Sequence, residues 1–141
     1  MKMSEVNYGP LAGLIGVWNG DKGIDIAPEP EGTEENNYFE TITYTAIGTA
    51  TNANLQTLSV LHYTQVVTNK ASNEVFHHES GYWMWDPQDN TIMHSLVIPR
   101  GVAVLAGGTC AAPAFKTETV TIEVNASIDD ESWGIAQSPF M

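Results

Sequence analysis

Apolar and polar residues alternate along most of this chain, and the alternation has the period of a β-strand. From Tyr38 to Ile47, Tyr38, Ile42, Tyr44 and Ala46 alternate with Thr41, Thr43 and Thr45, a period of two in residues that favour extended backbone. Leu55 to Val67 and Val75 to Trp85 are long β-rich runs; Thr91 to Ile98 and Val102 to Ala106 are shorter ones. Lys116 to Ile128 puts Val120, Ile122, Val124, Ala126 and Ile128 on one face and Thr119, Thr121, Glu123 and Asn125 on the other. With a strand running from Gly16 through Trp18, the pattern predicts about seven strands.

The breaks between these runs are equally legible. Asp86-Pro87-Gln88-Asp89-Asn90 is a turn by composition, and Pro99-Arg100-Gly101 and Gly107-Gly108 end their strands. Ala27 to Glu35 holds two prolines, a glycine and four glutamates, which predicts a solvated loop without regular structure. Leu11, Leu14 and Ile15 fit a helical face, but Gly13 and Gly16 limit it to one short helical turn. Strands joined by short turns are antiparallel, and a meander of them either closes or leaves edges. Gln137 to Met141 reads as a loop entering further structure, so two edges are expected to stay unpaired. The predicted fold is all-β: one domain over residues 1–141, an antiparallel lipocalin-like (calycin) barrel, incomplete, with one N-terminal helical turn.

Composition narrows the functional classes. Apolar residues make up 43% of the 141 residues and charged residues 16%, as in a globular protein. Seventeen acids against five bases give a net charge of −12. A field of that sign repels phosphates, since binding there depends on Lys and Arg releasing counterions, so no nucleic-acid partner is expected. Cys110 is the only cysteine and forms no internal disulfide. Met1 to Glu5 lacks the basic and apolar segments of a signal peptide, and no apolar stretch approaches a membrane span. A cytoplasmic protein without a membrane partner is expected.

Three blocks carry a family resemblance. Gly16-Val17-Trp18-Asn19-Gly20-Asp21-Lys22-Gly23 resembles the G-x-W-x-G-x-G signature that opens nitrobindins, with one residue inserted before the last glycine. His77-His78-Glu79-Ser80-Gly81-Tyr82 resembles their H-x-E-S-G-Y strand, and Pro99-Arg100-Gly101-Val102 a proline-x-glycine turn. The order and spacing agree over roughly residues 8–141. The resemblance implies a fatty-acid-binding-protein-like barrel, ferric heme b, and handling of reactive nitrogen species such as peroxynitrite or nitric oxide, including peroxynitrite isomerase-type chemistry. It places His77 on the distal side of the heme. Nitrobindins hold the iron with a histidine near their C-terminus, whereas the last histidine here is His94. The chain therefore resembles the first part of such a barrel, and firm heme binding by it is not expected.

The candidate residues each carry a structural alternative. Trp18 reads as a plug at one barrel end, with a ligand-stacking wall as the functional alternative. His77 and His78 point to opposite faces of one strand; His77, the resemblance implies, is the one facing the cavity. Counting back from the turn at 86–90 sets Tyr82 opposite His94 and leaves His77 roughly 17 Å further along, too far for one metal. Glu79 shares a face with His77 and reads as a wet-surface acid, with a carboxylate orienting an imidazole as the alternative. Tyr44 and Met93 are candidate cavity residues, and Lys22 could meet an anionic group at the mouth. Arg100, the only arginine, is poor material for a fatty-acid carboxylate site. Three functions follow: a heme barrel, a carrier of a small apolar ligand, or a ligand-free partial barrel that self-associates through its edges.

Overall fold

In the computed structural model, which describes residues 5–115 and 118–141, 3-10 helix Gly9–Leu14 leads into seven strands. These are β1 (Gly16–Glu29), β2 (Gly32–Asn52), β3 (Gln56–Asn69), β4 (Val75–Asp86), β5 (Thr91–Ile98), β6 (Val102–Thr109) and β7 (Ile135–Gln137). They form one antiparallel sheet in the order β1-β2-β3-β4-β5-β6-β7. Among the described residues β1 and β7 do not pair, so the sheet does not close.

Three expectations are corrected. The acidic segment is no open loop: β1 reaches Glu29, β2 starts at Gly32, and Ala27, Pro28 and Glu29 pair with Glu34, Thr33 and Gly32. Pro28 is tolerated because β1 is an edge strand, where a missing N–H costs no ladder bond on the outer side. The segment 116–128 is not a ladder strand; Lys116 and Thr117 lie outside the described residues. The rest keeps its alternation, with Val120, Ile122, Val124 and Ala126 the less exposed positions. Among the described residues its backbone, however, pairs only through isolated bridges, Gly107 with Asn125 and Ser127 with Gly134. Ile122 and Val124 pack on the core while Ile128 is exposed. The seventh strand is instead Ile135–Gln137, part of which read as loop.

The third correction is one of register. Asp86 pairs with Thr91, so the loop is Pro87–Asn90 and Trp83, not Tyr82, stands opposite His94. Asp86 accepts from the Gln88 amide, and Asp89 from the Thr91 amide, which holds the turn. A slip of one residue moves a side chain to the other face. His94 therefore shares a face with Trp83, Gly81, Glu79 and His77.

That face, here the inner face, carries the core: Leu61, Trp85 and Ile92, closed over by Tyr8 and Leu11 from the N-terminal segment. Burying each such side chain contributes roughly 1.5–3 kcal/mol. The cap is tied by hydrogen bonds from the Gly48 amide to the Tyr8 hydroxyl and from Ser59 Oγ to the Asn7 carbonyl, while Trp85 Nε1 donates to the Cys110 carbonyl just past β6. The core fills one end of the inner face and leaves the other end for polar chemistry.

Candidate functional site

Strand alternation places Tyr63 of β3, His77 and Glu79 of β4, and His94 of β5 on the inner face, beyond the core. Tyr63 pairs with Gly81 in the ladder. A Cβ on Gly81 would collide with the Ser95 carbonyl and crowd the Tyr63 ring. Glycine there lets the phenol lie across β4. Its hydroxyl donates to Glu79 Oε2 and lies 2.7 Å from His94 Nε2. The other carboxylate oxygen, Oε1, is 3.2 Å from His77 Nε2. The result is a continuous chain, His94–Tyr63–Glu79–His77, across three strands.

Aromatic rings wall this chain. Trp83 stacks on His94 with centroids 3.9 Å apart and planes 10° off parallel. Tyr44 lies against Tyr63 at 5.7 Å. Burial pulls the His94 imidazole below its ordinary value, and the Glu79 charge opposes that. Burial, then the Glu79 hydrogen bond and charge, push the Tyr63 phenol well up, so it stays protonated. Tyr44 is raised by burial first, then by Glu79 and Glu40. Both tyrosines thus sense a negative field.

Two hollows flank the chain and share Glu40 as a wall. One, about 280 Å3, is lined by Leu14, Trp18, Gly20, Glu40, Ile42 and Tyr44. The other, about 320 Å3, is lined by Asp25, Tyr38, Glu40, Gln65, His77 and Arg100 among others. Gln65 Nε2 donates to Glu40 Oε2 and fixes the dividing carboxylate. The glycine signature of β1 has its reason here: a Cβ on Gly23 would run into the Tyr38 ring, and one on Gly20 would press on Glu40. The inserted residue is absorbed by a bulge between Gly20 and Gly23.

The structure brings Trp18 and Tyr44 together at the first hollow and sets His77 in the second. Trp18 does not plug a closed end; it is 51% exposed on the edge strand, with Nε1 donating to the Leu14 carbonyl. Lys22 is exposed in the bulge. Met93 pairs with Met84, next to His94 in the strand, and so lies on the opposite, outer face. Glu79 is no wet-surface acid: its side chain is 14% exposed and holds both Tyr63 and His77. Sequence reasoning missed Tyr63, Trp83, His94 and Glu40. Placing Asp86 and Thr91 in the ladder would have recovered His94, and Gly81 marks a strand that something crosses closely.

A larger hollow, about 730 Å3, lies between the sheet and the 128–136 segment, lined by Tyr82, Val97, Leu105 and Ile128 among others. It contains none of the inner-face chain. Among the described residues no group of three or more His, Cys, Asp or Glu side chains is placed to hold a metal ion. No helix there is long and apolar enough to cross a membrane.

Heme needs a broad slot, an imidazole aimed at the iron and cations for its propionates. The inner face has two modest hollows divided by a carboxylate. Both its imidazoles have Nε2 engaged in the chain, and the two hollows offer a single cation, Arg100, which donates to the Phe76 carbonyl. As folded, these residues do not fit heme.

No curated protein matches the chain. A family model does, that of the THAP4-like, heme-binding beta-barrel domain, over residues 7–139. With most of its length matched, and with an all-β antiparallel sheet of this topology, the chain belongs to the THAP4-like heme-binding β-barrel domain family.

Proposed function

We propose that this chain is a binding protein for a small, largely apolar ligand held on the inner face of the sheet, in the paired hollows beside the His94–Tyr63–Glu79–His77 chain. The observation that supports this most is the meeting of aromatic and aliphatic walls, Trp18, Ile42 and Tyr44, with a few fixed polar groups, Glu40, Gln65 and His77. Small-molecule sites have this composition, and the two hollows together fall in their usual volume range of roughly 300–1,000 Å3.

Titration with the neutral dye Nile red tests it. The wild type should give saturable, one-to-one enhancement of dye emission. Ile42→Lys, which puts a charge into the first hollow, should weaken it about tenfold or more. Tyr82→Lys, at the outer-face hollow, should leave it unchanged. Equal binding by wild type and Ile42→Lys, or loss only in Tyr82→Lys, would overturn the proposal.

Family membership favours a second reading, heme on the same face. The handling of nitric oxide or peroxynitrite belongs to that reading and stands or falls with heme binding. The geometry of the two imidazoles weighs against it.

A further inference from the structure

The hydrogen-bonding groups that line the two hollows set what kind of head group the site accepts, and the chain beside them is fixed in its proton directions. Tyr63 has one proton and gives it to Glu79. Its oxygen can then only accept from His94, so His94 carries its proton on Nε2. Glu79 is an acceptor at both oxygens, so His77 also carries its proton on Nε2. In His94, which burial favours as the neutral ring, the remaining nitrogen, Nδ1, is a lone pair. The dividing wall of the two hollows, Glu40, is a further acceptor, and Asp25 lines the second hollow beside it. Arg100 sits across from these two carboxylates with its Nη2 donated to the Phe76 carbonyl. Lys22 stays out in the exposed bulge.

We infer that the inner-face site selects apolar ligands ending in a hydrogen-bond donor, a hydroxyl or an amine, and rejects those ending in a carboxylate. The inference rests on the reading of these hollows as a ligand site and gives that site its ligand class. A carboxylate tail would meet two carboxylates, Glu40 and Asp25, against the single guanidinium of Arg100, and like charges at close range are unfavourable. A hydroxyl or ammonium would donate to Glu40 and lay its chain against Ile42, Tyr44 and Trp18. Tyr44, on the wall of the first hollow, is raised first by burial and then by the charges of Glu79 and Glu40.

The test uses three probes of one chain length, 1-decanol, decylammonium and decanoate, each displacing Nile red from the intact protein at pH 7.5. Decanol and decylammonium should compete. Decanoate should be weaker than decanol by at least about tenfold, roughly 1.4 kcal/mol. Glu40→Gln keeps the shape and the Gln65 contact, and it should narrow that gap severalfold. Decanoate competing as well as decanol, or a gap untouched by both Glu40→Gln and Asp25→Asn, would overturn the inference while leaving the binding site in place. Failure of all three probes to compete would overturn the binding reading itself, and this inference with it.

Discussion

The Tyr63 hydroxyl lies 2.7 Å from Nε2 of His94, across 31 residues of chain and with β4 running between their strands. The phenol reaches over β4 because β4 has glycine at position 81, and there it also meets Glu79. One hydroxyl therefore joins a carboxylate to an imidazole in a half-buried setting. Losing such a link leaves its neighbours unsatisfied, which costs more than a made bond contributes.

Tyr63→Phe is accordingly expected to destabilise the protein by about 1–3 kcal/mol, since Glu79 Oε2 and His94 Nε2 each lose a partner. Urea denaturation followed by tryptophan fluorescence measures it. An unchanged midpoint would show that water replaces the hydroxyl at no cost.

Gly81→Ala is expected to cost about 1–3 kcal/mol through overpacking, because the added methyl meets the Ser95 carbonyl, a backbone atom that cannot swing away, and the Tyr63 ring. Gly13→Ala, where a Cβ meets nothing within 4 Å, should stay within about 0.5 kcal/mol of wild type. Equal thermal stability of the two variants would contradict the account of how Tyr63 crosses β4.

His94 gives a pH dependence with a definite sign. Its folded value lies below 6.5, first because it is buried. Between that depressed value and about 6.5 the unfolded chain takes up a proton that the folded chain refuses. The contribution from His94 is therefore fully present above about 6.5 and is lost as pH falls toward the folded value. Glu79 holds the value up, so Glu79→Gln should lower the His94 midpoint further in an NMR titration of the ring protons. A midpoint above 6.5 in the wild type, or one that rises in Glu79→Gln, would contradict this arrangement.

The open sheet has a consequence in solution. Among the described residues β1 pairs only with β2, and Val17, Ile24 and Ile26 on it are each more than half exposed. Unpaired edges recruit other strands. Light scattering is expected to show a mass above the 15.3 kDa of one chain, reduced toward it by Ile24→Lys combined with Ile26→Lys. A stable wild-type species at the monomer mass would mean that the edge is protected without a partner.

How much of this was legible in the sequence differs by physical cause. Period-two alternation identified β2 to β6, since one face of each is more buried than the other. It also marked residues 120–126, where alternation reports burial against Trp85 and Ile92 but not ladder pairing, because the two have the same period. Prolines misled at Ala27–Glu35, since an edge strand forgives a missing N–H. At the site, Trp18, Tyr44 and His77 were picked out individually, and Gly20, Gly23 and Gly81 marked close approaches without saying by what. The connection between His77 and His94 was hidden by a single register step at Asp86–Thr91, and Met93 was placed on the cavity side by the same kind of ambiguity. Glu79 looked like one acid among 17 because sequence does not show that Tyr63 arrives from the neighbouring strand.

The most direct test of the central claim, that the inner-face histidines are held in a hydrogen-bonded chain and serve a small ligand rather than iron, is a visible-absorption titration of the protein with ferric heme. The account expects a broad, weak Soret band without a one-to-one end point, unchanged in His77→Ala and His94→Ala. A sharp Soret band with a stoichiometric end point, lost when His77 or His94 is replaced, would contradict it.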